Sequence, residues 1–232
     1  MWVVLVNVRR PAIDLKAGMG MSESKVIVSP GELYVVGRIL NAKYIDYAYV
    51  AAVQDIGASF ELFEKETTDK LVSMGLLEGD FSGSVSPKAE TVGLFTPVFF
   101  GNVETALDIC TIKEPTKIDT YKFHFFDDQI TKVTGASEGL LEMESIGSAD
   151  LAKVVDDLSS GLKSTDDAVE FSKESVSRFI VAKSNHVGDS SIVATFMESN
   201  DRMYKEDAGG NVVQMSAEDF KTEISQILTG VK

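Results

Sequence analysis

The sequence predicts a mixed α+β protein, on two observations. Apolar residues recur at helical spacing as far as about Gly101, and beyond it they alternate at strand spacing. Within that second part, a run of strands closing in a capped helix occurs twice, first ending in "SADLAKVVDDL" and then in "SAEDFKTEISQIL". Strands followed by a helix packed on their sheet, present in two copies, read as a pseudo-repeat.

The first helix opens at "SPGELYVVGRIL", with Ser29 as N-cap, Pro30 at the first helical position and Glu32 completing a capping box. Leu33, Val36, Ile39 and Leu40 make its apolar stripe. "DYAYVAAVQDI" continues as a second helix. A third runs from about Phe60 to Met74, with Phe60, Phe63, Thr67, Leu71 and Met74 on one side, and leads into a turn and a polar ribbon, "LLEGDFSGSVS". "AETVGLFTPVFFG" is strongly apolar but carries Pro97, which leaves its structure open. Strands follow at "NVETALDICTI", "TYKFHFFDD" with a turn at Asp127-Asp128, "QITKVTGA" and "GLLEMESI". The helix after them is capped by Ser148 and faces Leu151, Val154, Val155 and Leu158 inward. "SSGLKSTDDAVEFSKES" is the expected hinge. Strands at "SVSRFIVAKSN", "SSIVATFMES", "DRMYKED" and "VVQM" then lead to the last helix. Ser216 and Asp219 form its cap, and Phe220, Ile224, Ile227 and Leu228 its stripe.

Residues 1–20 differ from the rest. They are either an extension upstream of a true start at Met19 or Met21, and then dispensable for folding, or an extra edge strand built on "WVVLVNV". Arg9-Arg10 follow the apolar stretch instead of preceding it, unlike a secretory signal. No run approaches the ~20 apolar residues of a membrane span. The chain therefore reads as cytosolic.

The charge removes two function classes. The chain of 232 residues carries 22 basic and 36 acidic side chains, a net −14, and is 44% hydrophobic. The helix–turn–ribbon at Phe60–Glu90 has the outline of a winged-helix DNA reader. It holds Glu61, Glu64, Glu66, Asp69, Glu78, Asp80 and Glu90 against Lys65, Lys70 and Lys88. Phosphate contacts need Lys and Arg, so the corner is expected to serve packing or partner contact, not sequence-specific DNA. Anionic membrane surfaces are disfavoured for the same reason.

No pattern carries catalysis. His124 lies inside an aromatic strand and reads as structural; His186 reads as a loop residue. Cys110, in an alternating apolar strand, reads as a small hydrophobe. The pairs Asp127-Asp128, Asp156-Asp157 and Asp166-Asp167 point adjacent side chains in different directions and suit turns or solvated surface better than a metal. "DAGGNVVQMSAE" fails as a calcium loop at Gly209 and at Val212, where glycine is needed. With no phosphate-binding glycine loop, no paired Cys/His ligand set and no nucleophile elbow, the sequence reads as non-enzymatic, without cofactor, metal or catalytic residue.

The order of elements, with "VSPGELYVVGRIL", "LVSMGLLEGD" leading into "GSVSP", and the two strand sets ending in "SADLAKVVDDL" and "SAEDFKTEISQIL", resembles the EspG family, the cytosolic chaperones of type VII secretion. It is similar in particular to diverged versions encoded beside such systems in Gram-positive bacteria outside the mycobacteria. The likeness spans about Lys25 to Leu228. It implies one domain over 21–232 with two halves, about 25–159 and 170–230. It also implies a quasi-two-fold fold with a central, mostly antiparallel sheet and packed helices. The implied function is to bind a secreted helical protein (a WXG-like hairpin, a PE/PPE-like protein or a toxin's helical targeting domain) and keep its apolar tip soluble. The alternatives are an immunity protein that neutralises a co-encoded toxin and, behind it, an acidic winged-helix-like regulator. Phe126, Phe179 and Phe196 are the candidate partner-binding residues. Residues on one strand alternate between sheet faces, so only some can face a client. The oligomeric state is left open.

Overall fold

The computed structural model describes residues 25–101, 103–112, 118–163, 169–186, 189–207 and 209–229. Residues 1–20, by sequence either an extension or an edge strand, lie outside them. The chain is α+β. Nine strands form one antiparallel sheet: β1 (Lys25–Val28), β4 (Val103–Thr111), β5 (Ile118–Phe126), β6 (Gln129–Gly135), β7 (Leu141–Ile146), β8 (Val176–His186), β9 (Asp189–Ser199), β10 (Arg202–Glu206) and β11 (Val212–Met215). Their order is β1-β7-β6-β5-β4-β8-β9-β10-β11, and β2 (Leu77–Gly79) and β3 (Val85–Pro87) make a separate hairpin. The two strand sets are meanders, β4 to β7 and β8 to β11, each closed by a helix: α5 (Ser148–Ser159) and α6 (Ala217–Thr229). They meet at β4 and β8, paired antiparallel at the centre of the sheet. This is the quasi-two-fold arrangement. Residues 25–100 stand outside the repeated unit.

Alternation along the strands divides the core in two. One face carries Leu107, Phe123, Ile130, Ile146, Ile180 and Phe196, covered by Leu151, Val155 and Leu158 of α5 and Phe220, Ile224 and Leu228 of α6. The opposite face carries Val28, Val133 and Met143, covered by α1 (Pro30–Ile39) and α4 (Ala89–Phe100), with α2 (Tyr47–Ala51) and α3 (Phe60–Ser73) alongside. We call these the helix-pair face and the N-terminal-layer face.

The caps follow from the sequence. Ser29 and Glu32 form the capping box, the Glu32 N–H donating to Ser29 Oγ at 3.2 Å and the Ser29 N–H to Glu32 Oε2 at 2.7 Å. On α6 the Asp219 N–H donates to Ser216 Oγ at 3.0 Å. Two expectations need correction, and one open segment is settled. The N-cap of α5 is Gly147, not Ser148: the Asp150 carboxylate reaches back to the Gly147 N–H at 2.8 Å, and Ser148 is already helical. The second helix is a single short turn, because Asp46 caps it at the Ala48 N–H (2.8 Å) and it ends at Ala51. "AETVGLFTPVFF" is a helix despite Pro97. Burial of Leu94, Phe95, Pro97 and Phe99 against the sheet outweighs the one backbone bond that proline cannot donate. The expected hinge lies partly outside the described residues. Its flanks are tied down, the Lys163 N–H to the Asp201 carbonyl at 2.7 Å and the Phe171 ring on Tyr204 at 5.1 Å.

Candidate functional site

The sheet assigns each candidate phenylalanine to a face. Phe196 lies on the helix-pair face, fully buried and edge-on to Phe220 at 5.2 Å. It is a core residue and presents nothing to a partner in the folded chain; its strand position set it among the candidates, and its parity puts it under α6. Phe126 and Phe179 lie on the N-terminal-layer face, and both are half-buried.

Register places Phe179 in a row running across the sheet: Ile118, Cys110, Phe179, Met197 and Tyr204. Ile118 is 61% exposed, Cys110 and Phe179 are half-buried, and Met197 and Tyr204 are buried. α1 and α4 cover the β5–β7 side of this face and Phe171 covers Tyr204, so the row's exposed part lies between the two covers. Phe126 is eight residues along β5 from Ile118, roughly 26 Å at strand rise, so the two phenylalanines belong to separate spots.

The next rows are charged. Lys122 bonds to Asp46 and lies 3.5 Å from Glu104; Lys183 bonds to Asp108, which also accepts the Thr120 hydroxyl at 2.7 Å. Burial alone would push Asp46 up, but the hydrogen bond and charge of Lys122 and the Ala48 N–H hold it below its ordinary value. For Lys122, Glu104 and Asp46 outweigh burial and hold it up. These charges fasten the α2 segment to the sheet.

His124 sits beside them, buried, with Nε2 3.5 Å from Glu104 Oε2. Burial, reinforced by the Lys122 charge, pushes it down to about 3, against the opposing pull of Asp46. A neutral, enclosed imidazole with no nucleophile to serve is structural. The sign of its effect is fixed. The unfolded chain takes up this proton near pH 6.5 and the native chain does not, so stability is complete above pH 6.5 and falls as pH drops toward 3, at about 1.4 kcal/mol per pH unit. We expect urea midpoints to decline from pH 6.5 to 5 in the native sequence, and His124→Asn to flatten that interval. An equal decline in the variant would exclude His124 as the cause.

His186 ends β8 opposite Asp189 instead of lying in a loop. Among the described residues, no group of three or more His, Cys, Asp or Glu side chains could hold a metal, and no helix is long and apolar enough to cross a membrane. A shallow hollow of 450 Å³ at the ends of β4, β8 and β9 is lined by Arg178, Glu174, Glu198 and several hydroxyls. Arg178 is already engaged there, with Glu198 at 2.6 Å and the Leu158 carbonyl at 2.7 Å.

Within the helix–turn–ribbon corner expected to serve packing or partner contact, the sequence does not single out Phe81, which is fully exposed at the tip of the β2–β3 hairpin. The available signal is an aromatic inside the turn "GDFSGS", where backbone geometry alone asks for none.

The geometry thus defines a class: a helix-flanked antiparallel sheet built on a strand–helix duplication, with a partly uncovered face and no catalytic cluster among the described residues. Among solved structures, this fold is similar to that of the Mycobacterium tuberculosis type VII secretion system chaperone EspG5, solved in complex with the PE25–PPE41 dimer. The TM-score is 0.52 at 6% identity, over 88% of this chain and 96% of that one. At that identity the likeness is one of fold. No family model and no curated protein sequence matches the chain.

Proposed function

We propose that this chain is a non-catalytic chaperone or adaptor that acts in the cytoplasm, binding a helical substrate of type VII secretion and keeping its apolar tip soluble before export. The observation that carries the reading is the fold shared with a chaperone whose structure holds a PE/PPE dimer, over nearly the full length of both chains. The uncovered sheet face supports it. A chaperone for an apolar tip needs an apolar surface rimmed by polar groups. The row Ile118, Cys110, Phe179 borders Asp108 in the next row, and Asp108 pairs with Lys183 one row further on. The outer side of α6 offers no such surface: Glu218 and Thr222 are exposed there, and Lys221 pairs with Asp156 of α5 at 3.0 Å.

The test is a pull-down with a PE/PPE-like or WXG-like protein from the same genome. Phe179→Asp should leave circular dichroism and melting nearly unchanged and weaken binding at least tenfold, since removing a central aromatic contact typically costs about 2 kcal/mol or more. Phe126→Asp tests the second spot. Normal binding by both folded variants would remove the sheet face from the reading. Rescue of cells from a toxin's activity, without affinity for any helical targeting region, would favour the immunity role instead.

A further inference from the structure

We propose that residues 42–56, which join α1 to α3, form a hinged flap over the Glu104–His124 end of the N-terminal-layer face, held shut by the Asp46–Lys122 pair and able to open while the rest of the fold stays intact. Such a flap operates whatever the chain binds.

The segment is bounded by two pivots. Asn41 before it and Gly57 after it both lie in the left-handed region, at φ 51° and 56°. The Ala42 N–H reaches the Gly37 carbonyl at 2.9 Å, but among the described residues the backbone of 43–55 hydrogen-bonds only within 43–56. A segment with no backbone bond to the sheet is of the kind that opens before the whole fold does.

Side chains hold it down. Ile45, Tyr49 and Val53, four positions apart, form its underside, with Tyr49 and Val53 buried. Ile45 lies against the bare backbone of Gly37 on α1, where a Cβ would stand 2.9 Å from its Cδ1. On the sheet side the tie is ionic. One Asp46 oxygen bonds to Lys122, and the other accepts the Ala48 N–H at 2.8 Å.

Beneath the flap the polar groups are incompletely matched. Tyr49 Oη and His124 Nε2 are buried without a hydrogen-bond partner among the described residues. Opening gives both to water, which offsets part of the cost of parting Asp46 from Lys122. The charges facing His124 are Lys122 on its own strand, Glu104 on β4 and Asp46 on the flap; Tyr44 and Tyr49 share these neighbours. β6 places Thr131 opposite it, and α4, packed on β5 and β6, has no ionisable residue after Glu90. The open form adds Glu104, Lys122 and His124 to the uncovered centre of the face.

The test is hydrogen exchange on the full-length chain. We expect residues 43–56 to open about a hundredfold or more as often as β4 and β8, at a rate that urea below the unfolding transition leaves unchanged. Exchange at the rate of those strands, rising with urea, would overturn the flap. Asp46→Asn, which keeps the cap acceptor and loses the charge, should open the segment about tenfold more often, and Tyr49→Phe, which removes the unpartnered hydroxyl, less often. An Asp46→Asn segment as closed as the native one would overturn the latch. Val53→Cys, in a Cys110→Ser background, puts a thiol on the underside, and its labelling should keep pace with exchange of the segment. Labelling only on global unfolding would reduce the opening to fraying of α2 and overturn the flap. From pH 6.5 to 5.5 the native segment should open about fivefold more often, beyond the change in intrinsic exchange. The cause is that His124, neutral when covered, takes up a proton near its ordinary value of 6.5 once uncovered. His124→Asn should abolish that increase, and an equal increase in the variant would overturn the placement of His124 beneath the flap.

Discussion

Phe196→Asp is expected to unfold the protein. The ring is fully buried beneath α6 and edge-on to Phe220, among Ile180, Ala182, Ala194 and Met203. Truncating a core phenylalanine costs about 3–5 kcal/mol before any charge is considered. A buried carboxylate with no partner adds several more. The sum rivals the whole stability of a domain, about 5–15 kcal/mol. Near-ultraviolet dichroism should be lost at 25 °C, while Phe179→Asp, half-exposed on the other face, retains it. A cooperative melt of Phe196→Asp within a few degrees of the native chain would show that β9 does not turn this residue toward α6.

Gly101→Ala should cost about 3 kcal/mol, although glycine-to-alanine changes are often mild. Gly101 ends α4 where the helix abuts the end of β5. A Cβ there would overlap the Pro97 carbonyl oxygen and stand 2.5 Å from the Phe125 carbonyl oxygen. Both obstacles are backbone, so no side chain can swing away and the helix must lift off the strand. The expected fall in melting temperature is roughly 10 °C. Gly93→Ala, in the same helix with open space around the position, should instead stabilise by about 0.5–1 kcal/mol. Equal effects of the two changes would exclude close approach as the cause.

Legibility followed the range of the interactions. Every strand from β4 to β10 announced itself through period-two alternation between turn residues, β11 only through the "AGGN" turn before it and the capped helix after it, and the caps of α1 and α6 through side chains three positions apart; these signals are local. α4 was not legible, because Pro97 argues locally against a helix and only packing against Val133 and Met143 overrides it. β1 was not, since four residues cannot establish a period. Among the candidate phenylalanines, alternation indicated that faces differ but not which face each helix covers. Only the observed register separates Phe196 from Phe126 and Phe179. The Asp46–Lys122 latch joins residues far apart in the chain, which no short pattern records. Phe81 needed no tertiary information, only the question why an aromatic should occupy a turn.

The seam between β4 and β8 bears on how the chain reaches this state. Each meander grows by hairpins whose strands are close in sequence, so each can form early and by itself. The seam joins Thr111 to Arg178 and Val103 to His186, and cannot close until both meanders exist. Long-range antiparallel pairing of this kind is slow. While it is pending, β4 and β8 each present an open edge, with Leu107 and Ile180 uncovered beside it. Newly made protein is then most prone to pair with a second copy of itself, exchanging one meander for its twin.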